Sequence, residues 1–521
     1  MRIKQIKTAA TAAAAAVMML LAPGLADLPA ASRAVETAEP AETAEVTSTS
    51  VTTAPAVRVM PVTYAPVTTT AATTTAATTT AKKKTTKKTT KKTTTAEPED
   101  TAPETTTEAV TEAETTTKKK KKTTTTPAET EPVAEAEEGK IVASADAAPA
   151  VVNDGDRINF SNQKAVWVPC MYLNTLMGWR SEDQFRAVFE QVCDNAKAIG
   201  VNTLYVHARA FSDALYASSI FPWSKWVTGT VGADPGYDPL QVMIDCAHSR
   251  GLSFHAWINP YRAETPDDMN SLPDSFIVKK WYSDPYTYPE YVQYVSSTGW
   301  CWLNPGIPAV RELIYDGVAE IATRYNVDGL HIDDYFYPST ETSFDDNAYA
   351  TYGGGLNLSD WRLSNCSETV ANIYKTIKNI DGDILFGVAP SGNIEADYLV
   401  QYADVYRWAA EPGFLDYIAP QIYFGYYNSY SPFLQRLQQW AEMPRHSGAS
   451  FVVGLAPANI SLVEEYTETA GIIASQIRDS YAYGADGVAL YSYTSLFAPD
   501  SGYEDKTSAE RLSTAAELAK H

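Results

Sequence analysis

Residues 1–150 contain no tryptophan, no phenylalanine and no cysteine, and only one tyrosine, Tyr64. Without large apolar side chains a segment cannot bury enough surface to offset the entropy lost on ordering. This excludes a hydrophobic core there, and with it a folded carbohydrate-binding module. All eleven tryptophans and all fifteen phenylalanines lie further on. One large core is therefore expected in the remainder, a length that a single barrel-type domain with extended loops can fill.

Cysteine is scarce throughout: five residues, at 170, 193, 246, 301 and 366, odd in number and without close pairs. That pattern excludes a disulfide framework and a recognisable zinc site. Cys170, Cys193 and Cys246 stand in apolar contexts and are expected as buried free thiols. A basic surplus is also missing. Residues 1–150 carry 18 basic and 18 acidic side chains, so the net charge of −22 belongs to the rest, with 23 basic against 45 acidic. Nucleic acid and anionic lipid are disfavoured as partners of that part, whereas a neutral polymer is compatible with it. Neither Gly-x-Gly-x-x-Gly nor a P-loop occurs, so no nucleotide is expected, and no cofactor is called for. Beyond the amino terminus no run of about 20 apolar residues exists, which excludes a multi-span membrane protein.

What is present begins with a basic stretch, Met1–Lys7, followed by alanine-rich apolar sequence over 9–26. Together they predict a secretory signal peptide over about 1–30, with an uncleaved anchor as the alternative. Residues 31–155 are low-complexity sequence rich in threonine, lysine and proline, with lysine runs at 82–84, 87–88, 91–92 and 118–122. They read as a disordered, wall-traversing linker. A secreted or cell-wall-associated protein is expected, acting as a monomer.

From 156 to 521 strand-like and helix-like segments alternate eight times. Strands are predicted at 165–170, 202–207, 252–258, 329–332, 384–388, 417–420, 451–455 and 487–491. The helices are predicted at 182–199, 239–250, 307–325, 361–380, 396–410, 431–441, 464–482 and 506–520. Short helix-to-strand turns and long strand-to-helix loops predict an α/β fold of the (β/α)8 TIM-barrel type, whose site is built at the carboxyl ends of the strands. A doubly wound open sheet is the alternative. The turns at 198–202, 325–329 and 483–487 repeat one device, with glycine allowing the tight return.

The strand ends carry the chemistry. Gly329-Leu-His-Ile-Asp333-Asp334-Tyr335 closes the fourth strand, with His331 and Asp333 on one face. Glycoside hydrolysis needs an ionised and a proton-donating carboxylate on opposite sides of the scissile bond. Neighbours on one strand rarely straddle a bond, so Asp333 is the principal catalytic candidate and Asp334 its electrostatic neighbour. A divalent-cation pair and a purely structural pair remain alternatives. Asp213, Glu264, Glu395 and Glu411 are the candidates for the opposing carboxylate, Glu411 from the wrong end of the barrel.

Strand two offers His207 and Arg209 on one face, with Arg209 able to hold Asp213 ionised. Strand three offers Trp257, Asn259 and Arg262. Gln421 and Tyr423 close strand six, and Tyr491 closes strand eight. The long loops add Trp223, Trp226, Trp281, Trp300, Trp302 and Asn304, as sugar platforms or as rings and caps that merely pack the loops down. Substrate contacts are thus expected from His207, Arg209, Trp257, Asn259, Arg262, Trp302, Asn304, His331, Tyr335, Gln421, Tyr423 and Tyr491, and no metal site is expected.

Several separated motifs carry a resemblance. They are Asp213-Ala-Leu-Tyr216, Phe221-Pro-Trp-Ser224, Gly236-Tyr-Asp-Pro-Leu240, His255-Ala-Trp-Ile-Asn-Pro-Tyr-Arg262, Trp302-Leu-Asn-Pro305, Asp328-Gly-Leu-His-Ile-Asp-Asp-Tyr-Phe-Tyr-Pro338 and Ile418-Ala-Pro-Gln-Ile-Tyr423. At these residues the chain resembles the glycoside-hydrolase-like family also called family 10 glycosylhydrolases, over nearly all of 161–500. It departs from that pattern at His207-Ala-Arg209, where the family usually reads Gln-Val-Arg. The resemblance implies a (β/α)8 barrel with a sugar cleft. It further implies, from a divisome-localised bacterial member, hydrolysis of peptidoglycan glycan strands stripped of peptide. A glycoside hydrolase of cell-envelope or other extracellular glycan is the leading expectation. Its rivals are a barrel that binds wall polysaccharide without cleaving it, and a metal-dependent deacetylase or hydrolase.

Overall fold

The computed structural model describes residues 156–178 and 180–521; the expected signal segment and linker lie outside them. Ten strands occur in chain order: β1 (Lys164–Val168), β2 (Thr203–Arg209), β3 (Ser253–Ile258), β4 (Val292–Val295), β5 (Trp300–Leu303), β6 (Gly329–Ile332), β7 (Leu385–Val388), β8 (Tyr417–Ile418), β9 (Ser450–Leu455) and β10 (Gly487–Leu490). Eight of them close a barrel in the order β1-β10-β9-β8-β7-β6-β3-β2, every pairing parallel. Helices alternate with these strands: α1 (Glu182–Ala198), α2 (Pro239–His248), α3 (Pro308–Arg324), α4 (Leu358–Ile380), α5 (Val405–Ala410), α6 (Phe433–Ala441), α7 (Ile472–Ala482) and α8 (Glu504–Leu518). This is the expected (β/α)8 barrel.

Local sequence explains the helix starts. Ser181 and Gln184 form a reciprocal capping box ahead of α1. Asp238 accepts from the Gln241 N–H and is followed by Pro239, while Asn357 accepts from the Asp360 N–H and starts α4 three residues earlier than predicted. The returns to the sheet share a device beyond glycine. Asn202 accepts the Lys164 N–H at 2.9 Å, Asp328 the Phe254 N–H at 2.7 Å, Asp416 the Phe386 N–H at 2.7 Å and Asp486 the Phe451 N–H at 2.8 Å. Each side chain ties the foot of one strand to its neighbour, where the ladder leaves an amide unpaired.

The barrel interior is small and partly polar. Ala165, Trp167, Tyr205, Trp257, Ala389, Tyr417, Ala419, Val452 and Ala489 form one buried cluster distinct from the layer between sheet and helices. Through its middle runs a chain of hydrogen bonds. The Trp167 indole N–H donates to His331 Nε2 at 3.1 Å, and the Tyr417 hydroxyl bridges His331 Nδ1 at 2.9 Å and His255 Nδ1 at 2.8 Å. A Cβ on Gly387 would overlap the Tyr417 ring, and one on Gly329 the His255 ring, so these two strand glycines make room for the rings that fill the barrel.

Several predicted elements differ: the predicted helix over 464–482, for one, is two pieces, Glu464–Glu468 and α7, parted at the left-handed Gly471. The long loop predicted after the third strand contains two short helices, Pro266–Ser271 and Ile277–Ser283, and the antiparallel β4–β5 hairpin. The predicted helix over 396–410 is two pieces, Ile394–Leu399 and α5, because Asp404 caps a new helix after the left-handed Tyr402. Strand two runs on to Arg209, but its register with β3 shifts between His207 and Arg209. That irregularity breaks the alternation that would have put both side chains on one face.

Candidate active site

The mouth of the barrel, at the carboxyl ends of the strands, opens into a cavity of about 310 Å³. Asp333 stands at its floor, one residue beyond β6 and 2% exposed. Its Oδ2 accepts two N–H donors from β3 and the residue after it, Trp257 Nε1 at 3.0 Å and Asn259 Nδ2 at 2.7 Å. Its Oδ1 has no partner. Burial, then the adjacent Asp334 charge, push the Asp333 carboxyl up to about 8, against the opposing pull of Arg262 and the Trp257 donor. In the acid form the proton belongs on Oδ1, because Oδ2 already receives two hydrogens.

A directed relay fixes that geometry. The Cys170 backbone N–H donates to His207 Nδ1 at 3.0 Å, so the neutral ring carries its hydrogen on Nε2, which meets Asn259 Oδ1 at 2.7 Å. Asn259 is thereby turned with its amide nitrogen toward Asp333. Burial and then the Arg262 charge hold His207 well below the usual imidazole range, and its ring stacks on Trp257 with centroids 3.3 Å apart. His331 is similarly locked. The Trp167 indole can only donate, so His331 Nε2 stays bare and the ring neutral, and burial followed by His255 pushes its pKa far down.

Asp334 follows where the strand has ended, so its side chain also reaches the cavity. Its Oδ1 accepts from Gln421 Nε2 at 3.0 Å, and Gln421 is itself held by the Ala389 carbonyl at 2.9 Å. Burial raises the Asp334 carboxyl, while the Gln421 and Gln401 amides hold it back. Arg262 lies in the cavity wall between two rings, 4.2 Å from Phe211 and 4.0 Å from Tyr335, and lowers the pKa of both aspartates.

Of the residues expected to contact substrate, His207, Trp257, Arg262, Tyr335, Gln421, Tyr423 and Tyr491 line the cavity. Asn259 and His331 sit one layer behind it, holding Asp333 and Trp167. Arg209 is elsewhere: the register shift turns it toward α3, where it packs 4.3 Å from Phe221 with both terminal nitrogens unpartnered. The expected Arg209–Asp213 pair is therefore not formed. Asp213 Oδ1 accepts the backbone N–H groups of Ala210 and Phe211, and its Oδ2 is unpartnered.

Glu264 is buried and bonded to Lys225 at 3.0 Å, raised to about 8 by burial and then by Asp213. Glu395 pairs with Arg436, and Glu411 pairs with Arg407 at 3.0 Å on the outer surface. None of these four carboxylates lines the cavity. Trp302 donates to Thr298 at 3.0 Å, and Asn304 accepts the Gly306 N–H at 2.8 Å to turn the chain into α3. Trp226 and Trp300 stack on Phe211, and Trp281 packs on Tyr291, so these loop tryptophans hold the loops down rather than face the cavity.

Sequence reasoning missed Trp167, Ser391, Asn393, Gln401, Asn428 and Asn459, all of which line the cavity. Trp167 was legible as the inward partner of Ala165 in β1. Gln401 was hidden inside a predicted helix that in fact breaks there. All five cysteines are buried and free. Among the described residues no group of three histidine, cysteine or acidic side chains could hold a metal ion, and no helix is long and apolar enough to cross a membrane.

The profile of the family described as Glycosyl hydrolase-like 10 matches residues 162–467. A relative named Glycosyl hydrolase DigH, from Escherichia coli (strain K12), is 36% identical over 301 residues, 53% of this chain and 66% of that protein. A second, Glycosyl hydrolase YngK from Bacillus subtilis (strain 168), is 35% identical over 287 residues, 50% of this chain and 54% of that protein. The matches thus span less than two thirds of these relatives. Among solved structures, the PgaB (BpsB) glycoside hydrolase domain from Bordetella bronchiseptica superposes with a TM-score of 0.47 at 15% identity, over 67% of this chain and 99% of that one.

Proposed function

The chain belongs to the glycosyl hydrolase-like 10 family, and from that membership and the geometry of its site we propose that it hydrolyses glycosidic bonds in an extracellular or cell-envelope glycan. Peptide-free peptidoglycan strands are the first substrate to test. The observation that carries the proposal is the state of Asp333: a buried carboxyl at a strand end, raised toward neutrality, with one oxygen anchored by two N–H groups and the other free. That is what a proton donor to a leaving glycosidic oxygen requires. The surrounding Trp167, Trp257, Tyr335, Tyr423 and Tyr491 supply ring faces for a sugar, and Arg262, Gln421 and Asn459 supply polar contacts for hydroxyls. The acidic charge of the folded part suits a substrate that is not an anionic polymer bristling with phosphates. The signal-like amino terminus and the low-complexity segment after it support action outside the cytoplasm.

The test is incubation of the full-length protein with peptide-free glycan strands and with plant polysaccharides, reading new reducing ends. Asp333→Asn serves as the control and is expected to lose about 10²–10⁴-fold in rate, the usual worth of a general acid. Failure to release reducing ends from any glycan sinks the proposal. One observation favours a second reading, a barrel that binds glycan without cutting it: the cavity offers no carboxylate opposite Asp333 and Asp334 among the described residues. Calorimetric binding of glycan strands with no turnover would select it.

A further inference from the structure

Breaking a glycosidic bond takes a proton for the departing oxygen and a nucleophile or activated water on the other face of the sugar. In the common arrangement the second role falls to a carboxylate across the cleft. Here the acidic side chains that line the cavity are Asp333 and Asp334, adjacent in the chain. Others nearby are committed. Glu465, under Gly425 of the cavity wall, accepts the backbone N–H groups of Tyr426 and Tyr427. Asp397 lies behind the wall, accepting the Ser391 N–H at 2.9 Å. Asp213 and Glu264 are buried under the β2 and β3 loops.

Two carboxylates one peptide apart, one anchored from β3 and the other by Gln421 after β8, approach the bond together. With no other carboxylate among the residues lining the cavity, a nucleophile carried by the substrate itself meets the second requirement. Resting on the hydrolase function proposed above, we propose that the glycan cleaved carries a 2-acetamido group on the scissile sugar, and that the carbonyl oxygen of this group is the nucleophile. Asp333 is then the proton donor, and Asp334 accepts the acetamido N–H.

The wall beside the pair fits that group. Trp167, Tyr423 and Tyr491 pack against one another as one aromatic wall, with ring centroids 6.3 Å (Trp167–Tyr423), 6.1 Å (Trp167–Tyr491) and 5.5 Å (Tyr423–Tyr491) apart. All three line the cavity. Such a wall offers an acetamido methyl an apolar ring surface to rest on. A bare hydroxyl at the same carbon has no carbonyl oxygen to reach back to the anomeric carbon.

The step balances within the two partners. The proton on Asp333 Oδ1 passes to the glycosidic oxygen as its bond to C1 breaks. The acetamido carbonyl oxygen forms the new bond to C1, and the nitrogen hands its proton toward the Asp334 carboxylate, leaving an oxazoline. Water then adds to C1, losing its proton to Asp333, while the C1–O bond of the oxazoline breaks and Asp334 returns the N–H. Both inversions occur at C1, so the product retains the anomeric configuration.

Full-length protein is assayed on peptide-free glycan strands, on the same strands after chemical de-N-acetylation, and after their re-acetylation. Turnover is expected to fall at least about 10²-fold on the de-N-acetylated strands and to return on re-acetylation. The first-formed anomer, read by proton NMR, is expected to retain configuration. Asp334→Asn is expected to cut kcat about 10²–10³-fold while leaving the thermal midpoint and KM nearly unchanged, and to lose the thermal shift that an N-acetylglucosamine-derived thiazoline gives the wild type. Equal turnover of acetylated and de-N-acetylated strands, with Asp333→Asn inactive, overturns the acetamido role and leaves the hydrolase function standing. An inverted product does the same. Turnover confined to polysaccharides that lack the acetamido group overturns this inference alone, and no turnover of any glycan overturns the hydrolase function with it.

Discussion

The two N–H donors on Asp333 Oδ2 give a quantitative handle on its ionisation. Trp257→Phe removes the Nε1–H donor at 3.0 Å but keeps an aromatic ring against His207; Asn259→Ala removes the donor at 2.7 Å. A hydrogen bond to a charged group is worth about 1.5–3 kcal/mol, and one pKa unit is about 1.4 kcal/mol. Both donors favour the ionised carboxylate over the neutral acid. Losing either one should therefore raise the Asp333 pKa further, by about one to two units from its present value near 8. With Asp333 as proton donor, its ionisation sets the alkaline limb of kcat/KM, and that limb should move upward in both variants. The rate at neutral pH falls, because the carboxyl is less firmly aimed, yet activity persists at higher pH than in the wild type. Asn259→Ala also strands the His207 Nε2–H, which adds about 1–3 kcal/mol of destabilisation; Trp257→Phe does not. The assay is a pH–rate profile on glycan strands, paired with thermal melts. An alkaline limb that stays put or moves down in folded variants would refute the assignment of the limb to Asp333.

Three further outcomes follow from the packing. Asp333 stays protonated in the fold up to about pH 8, whereas an unfolded aspartate ionises near 3.8, so native stability should decline as pH rises through that window. Asp333→Asn, which keeps an acceptor for Trp257 and Asn259 and cannot ionise, should remove that decline, so its thermal midpoint exceeds the wild type by more at pH 8 than at pH 5. Gly387→Ala drives a methyl into the Tyr417 ring at the barrel centre and should cost about 1–3 kcal/mol or more in denaturant melts, since that ring cannot move without breaking its bonds to His255 and His331. Arg362→Met strands the fully buried Asp345, to which Arg362 Nε donates at 2.9 Å, and should cost about 3–5 kcal/mol. The double change Arg362→Met with Asp345→Leu should recover most of that loss.

Periodicity made the barrel legible. Eight buried strands alternating with amphipathic helices, closed by asparagine, aspartate and glycine turns, leave few ways to hide their apolar faces. The run from Leu330 to Tyr335 likewise announced a carboxylate at a strand end, because a buried strand that finishes in aspartates must deliver them to solvent or to a site. Composition alone also set residues 1–150 apart from the core-forming remainder.

Other features depended on where the chain leaves regular structure, which local pattern does not encode. The register shift between His207 and Arg209 sent two neighbours of equal promise to opposite sides of the sheet. The break before α5 brought Gln401 beside Asp334, and the hairpin after β3 used Trp300 and Trp302 as strand residues of β5 rather than as sugar platforms. Most of all, sequence placed Asp333 and Asp334 side by side and sent the search for a partner to other strands. Only the tertiary structure decided that both aspartates enter one cavity, because β6 stops at Ile332 and the strand alternation that would separate them stops with it.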